Sequence, residues 1–518
     1  MTNKKISYPI GIQNFPEIFR EKKFYVDKTD LVFKLCSTFK YVFLIRPRRF
    51  GKSLLLSTIK AYFEGRRELF QGLAISDMED RWNAYPVLHL DLSAESYNDP
   101  KRMFSIISRH LRRWEKLYGS DPETDTLAGR FENVIINASN NGSTPVVVLI
   151  DEYDKPLLEN LHRDELRENM SNELRGFYSV IKSCDEFIRF AMITGVTKFT
   201  HVSIFSELNN LKDISLLPDY NAICGISESE FDSYLGDAVK AFSAARGISE
   251  DEVRDAFRYN YDGYHFSAEG EGIYNPYSVI NAFSDNEISD FWFQTGTPSF
   301  LAEAVRDYDA PAEDFGQSVR TAAQLMAVSD EHPDLIALLY QSGYLTIKGY
   351  DPLTKEYHLD FPNQEVRRAF WQSLYRYFVA PFSGDTALSA SNFINDLETC
   401  DIDGFMQRLK SIVAASYHGQ ERRLEVHYQN IVSIVFHMLG YDPRVEVPSV
   451  FGFSDLVVKT RNFIYIFEFK VGSTPAKALQ QIREKGYANP YLADSRQKVL
   501  IGANFANDPA ELLAWSVE

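Results

Sequence analysis

Cysteine is scarce: four residues in 518, Cys36, Cys184, Cys224 and Cys400, with no CxxC spacing. That speaks against a disulfide framework and fits reduced, mostly buried thiols in a cytoplasmic protein. Long apolar runs are missing. None approaches the ~20 residues a spanning helix needs, so no membrane is expected. The opening "MTNKKISYPIGIQNF" has no long apolar region after its lysines, so no signal peptide is expected. Positive charge is in deficit, with 55 Lys and Arg against 72 Asp and Glu and a formal charge of -17. Such a chain repels nucleic acid at long range but does not exclude a local basic groove. Internal repeats and low-complexity tracts are absent too. What is present is apolar material: 45% hydrophobic and 14% aromatic residues, enough for sizeable cores and not a disordered composition.

The first third alternates strand-like runs with helix-like stretches. "YVFLIR" (41–46), "PVLHLDLS" (86–93), "PVVVLID" (145–151) and "FIRFAMITG" (187–195) are the strands; 52–63, 100–117 and 171–183 read as helices. This pattern predicts an α/β domain with a mostly parallel sheet covered on both faces, over 1–225. From 226 to 385 the reading is mainly helical. "ISESEFDSYLGDAVKAFSAA", "SEDEVRDAFRYN" and "TPSFLAEAVRDY" are helices, with Ser caps on the first two and a small hairpin near 344–360. "APFSGDTALSA" (381–391) marks a boundary. From 386 to 518, helices at 391–415 and 422–440 precede strands at 444–448, 454–460 and 462–471, a helix at 475–485 and a strand at 497–505, a small α/β/α unit.

Gly51-Lys52-Ser53 follows an apolar strand and opens a helix, the context a phosphate loop requires. Gly51 permits the tight turn, Lys52 reaches the outer phosphates of ATP and Ser53 holds Mg²⁺. Arg46 stands where the usual loop has its first Gly, and with Arg49 it is placed at the nucleotide. Asp151 and Glu152 end the strand of "VVVLIDEYD"; Asp151 is the second magnesium ligand and Glu152 polarises the attacking water. Thr194, at the end of "MITG", is read as the γ-phosphate sensor. The strand at 86–92 comes between the loop and the acidic pair, which suits an additional-strand P-loop ATPase.

The second constellation is "FSDLVVKTRNFIYIFEFKVG". Asp455 begins one strand; Glu468 and Lys470, two apart on the next, share a face. Two carboxylates from neighbouring strands make a hard-cation site for Mg²⁺ or Mn²⁺, and Lys470 positions water or phosphate charge. Glu425, on the preceding helix, adds a fourth charge, and Gln480, on the following one, aims an amide at the site. The plainer alternative is a surface ion-pair set. His89, His427 and His437 are read as packed or structural.

"YPIGIQNFPEIFREKKFYVDKTDLV", "FLIRPRRFGKSLLLSTIKAYFEG", "LIDEYDKPL", "ITGVTKFTHVSIFSELNNL", "YDGYHF", "YNPYSV" and "QSGYLTIK" resemble the AAA-ATPase-like family. The tail from about 420 resembles the PD-(D/E)XK nuclease superfamily. The resemblance implies an ATPase core, a helical second part and a restriction-endonuclease-like C-terminus. The ATP roles then fall to Lys52, Ser53, Asp151 and Glu152, and the acid, acid, lysine core to Asp455, Glu468 and Lys470. Gln429 stands where relatives often carry His, and "FGFSD" replaces Gly-Arg-x-Asp. The expected function is ATP-dependent, metal-dependent cleavage of nucleic acid, with DNA favoured. The alternative is a nucleotide-switched binding protein that does not cut. No arginine is placed to act in trans from "THVSIFSELNNLKD", and oligomeric state is left open.

Overall fold

The computed structural model describes residues 6–93, 96–161, 163–199, 210–292, 318–326, 328, 334–378, 390–415, 424–449, 452–507 and 510–518. The helix expected in "TPSFLAEAVRDY", most of "THVSIFSELNN" and the boundary near 381–389 lie outside them. The chain divides into two compact units, Met1–Gly296 with Ser318–Glu365, and Thr297–Gln317 with Val366–Glu518.

The first unit is built on strands β1 (Tyr41–Ile45), β2 (Val87–Asp91), β3 (Val146–Asp151), β4 (Ile188–Gly195) and β5 (Lys212–Asp213). All pair in parallel, in the order β2-β3-β4-β1-β5. Every residue of β1 and β3 is buried, as expected of continuous Val/Ile/Leu/Phe runs inside a sheet covered on both faces. At the edge, β2 alternates half-buried and buried positions. It falls between the loop and the acidic pair in the chain but outside β3 in space. The strand that separates β1 from β3 is β4, joined to β1 by Tyr41↔Ala191 and to β3 by Val147↔Phe190.

Helix Lys52–Phe63 follows β1 directly, and helix Pro100–Tyr118 starts on an Asp99 cap with Pro at its first turn. Helix Asp164–Ser183 begins seven residues before the expected stretch, on its acidic first turn. Helices Glu228–Arg246 and Glu250–Tyr261 both open with capping boxes, Ser227/Glu230 and Ser249/Glu252. With Pro276–Asp285 they close over Phe231, Leu235, Phe242, Phe257 and Phe283. A three-stranded sheet, β8 (Val319–Thr321), β10 (Glu356–Asp360) and β9 (Thr346–Asp351), contains the expected hairpin; β6 (Ile226–Ser227) and β7 (Ile273–Tyr274) form a short ladder.

Glu365 is fully buried in this unit. Its carboxylate accepts from Ser278 Oγ at 2.8 and 3.0 Å and from the Trp292 N–H at 2.8 Å. Burial pushes it from about 4.5 up to about 7. A carboxyl raised on folding binds more protons in the native state than in the unfolded one. Its stabilising contribution is therefore full below about pH 4.5 and lost as pH rises through about 7, at most about 1.4 kcal/mol per pH unit. Glu365→Gln keeps an acceptor for Ser278 and Trp292 but removes the charge. Denaturant melts across pH 5 to 8 are expected to show a flatter profile in the variant, with a gain on the order of 3 kcal/mol at the alkaline end.

The second unit holds a five-stranded sheet in the order β11 (Arg444–Ser449), β12 (Gly452–Lys459), β13 (Phe463–Val471), β14 (Gln497–Asn507), β15 (Ala510–Val517). Only β13 and β14 pair in parallel. One face presents Leu456, Val458, Tyr465, Phe467 and Phe469 to a core with Phe405, Leu409, Ile431 and Val435 from helices Ile402–Ala415 and Leu424–Met438. The other sets Val457, Ile464 and Ile466 against Leu479 and Ile482 of helix Pro475–Glu484. The stretch expected as one helix at 391–415 is two, broken at Cys400, whose φ is 60°. His437 stacks on Trp371, with centroids 3.7 Å apart, and burial lowers its pKa to about 3, in keeping with a packed side chain. Among the described residues no helix is long and apolar enough to cross a membrane.

Candidate nucleotide and metal sites

The loop between β1 and helix Lys52–Phe63 turns at Gly51, whose φ of 94° suits a residue without Cβ. Lys52 is 5% exposed and folds its Nζ back onto the carbonyls of Arg46 and Pro47, at 2.9 and 3.1 Å. Ser53 Oγ donates to Asp151 Oδ2 at 2.6 Å. The other oxygen, Oδ1, accepts from Thr194 Oγ1 at 2.8 Å and from the Glu152 N–H at 3.0 Å. Asp151 is therefore fixed with one oxygen turned to Ser53. Glu152 sits at φ 52°, a left-handed conformation that a non-glycine residue holds at a cost. Burial raises its pKa, and the Lys52 charge opposes that.

Arg48, Arg49, Lys52, Ser53, Glu152 and Lys155 line a cleft of about 570 Å³, walled by Pro9–Gln13 on one side and Tyr277 and Asn281 on another. Arg49 lies 4.7 Å from the Tyr277 ring centroid. A narrower apolar cavity of about 100 Å³ adjoins it, sharing Pro9, Gly51, Leu54, Pro276 and Ile280 and lined by Tyr25, Phe50 and Ile223.

In the second unit, Leu456 pairs with Phe467, so the carboxylates of Asp455 and Glu468 share the face opposite the Phe467 and Phe469 core. Asp455 Oδ2 accepts from the Phe469 N–H at 2.6 Å. Glu468 is 1% exposed; its Oε1 takes Lys470 Nζ at 2.7 Å, and its Oε2 is buried with no partner. Burial first, then the Asp455 charge, pushes the Glu468 carboxyl up to about 7, against the pull of Lys470. Two converging carboxylates with a buried orphan oxygen fit a hard divalent cation. No group of three or more His, Cys, Asp or Glu with metal geometry occurs among the described residues. Glu425 lies on helix Leu424–Met438, but its side chain is outside them.

A family model described as Predicted AAA-ATPase matches residues 9–205, and one described as PD-(D/E)XK nuclease superfamily matches 423–515. The chain is 36% identical over 530 residues to "Uncharacterized protein in vnfD 5'region" of Azotobacter chroococcum mcd 1, covering 100% of this chain and 99% of that one. The chain belongs to the AAA-ATPase-like family with a C-terminal PD-(D/E)XK nuclease-superfamily domain.

Within the AAA-ATPase-like domain the geometry gathers Gly51, Lys52, Ser53, Asp151 and Glu152, with Arg49 across the cleft. Arg46 is elsewhere. Its guanidinium is buried, donating to the carbonyls of Ile45, Ser215 and Tyr220 at 2.9, 2.8 and 3.0 Å and lying 4.1 Å from the Phe266 ring centroid. It locks the loop to the segment after β5 instead of facing a phosphate. Thr194 is fully buried and holds Asp151, a positioning role. Asp154 went unread in the sequence: buried, it accepts from the Val196 and Thr197 N–H groups and from Thr197 Oγ1. Gly195 belongs to the same knot, since a Cβ there would stand 2.5 Å from Asp154 Oδ1.

In the nuclease-superfamily domain Gln480 is exposed and donates to Glu484 at 2.7 Å. Its neighbour Gln481 donates instead to Tyr487 OH at 3.2 Å, and Tyr487 feels the charges of Glu468, Asp455 and Lys470. The legible signal was the helix's buried face, Ala478, Leu479 and Ile482, with which Gln481 aligns and Gln480 does not. Gln429 Nε2 donates to the Asp455 carbonyl at 2.8 Å, holding the strand that carries the acid.

Proposed function

We propose that the protein is an ATP-hydrolysing, metal-dependent nuclease acting on DNA. Support for the nuclease half rests on the buried, unpartnered Glu468 oxygen beside Asp455, with Lys470 on the same strand face. The sheet order and the helices on its two faces support the reading of a restriction-endonuclease-like domain. Asp455 and Glu468 would hold Mg²⁺ or Mn²⁺, which when bound polarises the phosphodiester and steadies its leaving oxygen. Lys470 orients the attacking water or balances phosphate charge, and Gln481 with Tyr487 closes the polar wall.

The ATPase half rests on Ser53, which lines a cleft with Lys52, Arg48, Arg49 and Glu152 and is joined to Asp151 at 2.6 Å. The placement of β4 between β1 and β3 supports the additional-strand P-loop class. Lys52 and Arg49 would bind phosphates, Ser53 and Asp151 would hold Mg²⁺, and Glu152 would take up the proton of the attacking water. The apolar cavity suits the nucleobase.

One observation favours a domain that binds without cutting: Phe453, 61% exposed, occupies the position of the basic residue in Gly-Arg-x-Asp. Incubation of linear and single-stranded DNA with Mg²⁺ or Mn²⁺, with and without ATP, separates the two. Cleavage by the native chain that disappears in Asp455→Ala is the expected result; DNA binding without cleavage under either metal would establish the switched binding protein.

A further inference from the structure

Helix Pro100–Tyr118 is an exception to the charge of the chain. It carries six Lys and Arg against one Glu, in a sequence whose sum is -17. At about 100° per residue, Lys101, Arg102, Arg109, Arg112, Arg113 and Lys116 fall within one arc of about 120°. The opposite arc, Met103, Ile106, Ile107, Leu111 and Trp114, is buried. Lys101, Arg102, Arg112, Arg113 and Lys116 are exposed, and among the described residues none of these five has an ion-pair partner. Acids close to the helix have other partners: Glu115 has Arg130 at 2.7 Å, Asp99 is the helix cap, Asp121 takes the Glu123 N–H and Thr124 Oγ1, Asp91 takes the Ser93 N–H, and Glu64 lies 3.8 Å from Lys60. The pKa of His110 on the same helix is pulled down by burial and then by Arg113, with Asp91 opposing and Arg109 adding to the fall.

We infer that this cationic stripe is a docking surface for the phosphate backbone of DNA. It extends about 22 Å from Lys101 to Lys116, the length of roughly six base pairs. The arc opposite the stripe is packed inside the protein, so the stripe itself offers charge, which suits a polyanion; Phe104 and Leu117, exposed on the same helix, lie outside it. The choice of DNA rests on the nuclease reading. The stripe resolves the conflict between an acidic chain and an anionic substrate: the net charge repels at a distance, and one helix supplies the contact.

The test is fluorescence anisotropy of a short labelled duplex with the full chain and with R112A/R113A/K116A, from about 50 to 200 mM salt. Arg109 is left intact because it is engaged elsewhere. The triple variant is expected to bind at least tenfold more weakly at low salt. Its slope of log K against log salt should be shallower by about 2 to 3, near 0.9 per lost phosphate contact. Melting temperature should be unchanged, because all three side chains are exposed. Equal affinity and slope would overturn the stripe, as would lost binding to anionic vesicles with DNA binding intact. Should Asp455-dependent cleavage persist with unchanged KM in the triple variant, the stripe falls and the nuclease reading stands. A native chain that neither binds nor cuts DNA overturns both.

Discussion

Lys52→Ala is expected to reduce ATP hydrolysis by about 10² to 10³-fold, the usual effect of removing one preorganised charge from a phosphate-transfer site. The structure makes the ammonium hard to replace. Lys52 is held by two loop carbonyls, so its position is set before nucleotide arrives. Alanine also leaves those carbonyls without their donor, so nucleotide affinity should fall along with kcat. Glu152→Gln supplies the contrast. The amide cannot take a proton from water, yet the phosphate-binding groups remain, so hydrolysis should collapse while nucleotide binding survives. Titration with a fluorescent ATP analogue beside a phosphate-release assay separates the two. Equal loss of binding in both variants would remove Glu152 from the role of base. Undiminished turnover in Lys52→Ala would remove the loop from the reaction altogether.

The sequence disclosed the parts that depend on residue type and periodicity. Continuous apolar runs gave β1, β3 and β4 to within a residue, and the Gly-Lys-Ser context gave the helix start. What it could not disclose was direction. Arg46 reads as a phosphate ligand because arginine in such a loop is a natural anion partner. Pro47 instead keeps the chain extended, and three carbonyls and a phenyl ring take the guanidinium inward. Thr194 ends the right strand but turns to Asp151. Gln480 misses by one residue, which on a helix is about 100°. Sheet order was equally hidden, because β2 precedes β3 in the chain yet lies beyond it in space. The final strand, Ala510–Val517, has the Ala, Glu and Leu content of a helix, and pairing with β14 overrides that propensity. The basic stripe was concealed by summation, since a net charge says nothing about how charges share a face.

Glu468→Gln should have two opposite effects, and their combination identifies a metal site more firmly than lost activity alone. Without metal, the native Glu468 is a buried carboxyl with one orphan oxygen, pressed by the Asp455 charge and paired with Lys470. Replacing it by an amide removes the buried charge and offers Asp455 an N–H donor. Unfolding of the metal-free variant is therefore expected a few degrees higher at pH 8, about the shift that one kcal/mol produces in a unit of this size. The native protein should gain in melting temperature as Mn²⁺ is added, following RT ln(1 + [L]/Kd). The variant should gain far less and should lose cleavage by about 10³-fold. Such a trade is expected where a site keeps a destabilising group because the reaction needs it. A structural ion pair behaves in the reverse way: Glu468→Gln would lower the melting temperature, and Mn²⁺ would act equally on both proteins. Scanning calorimetry with and without Mn²⁺ distinguishes the two, independent of which nucleic acid is cut.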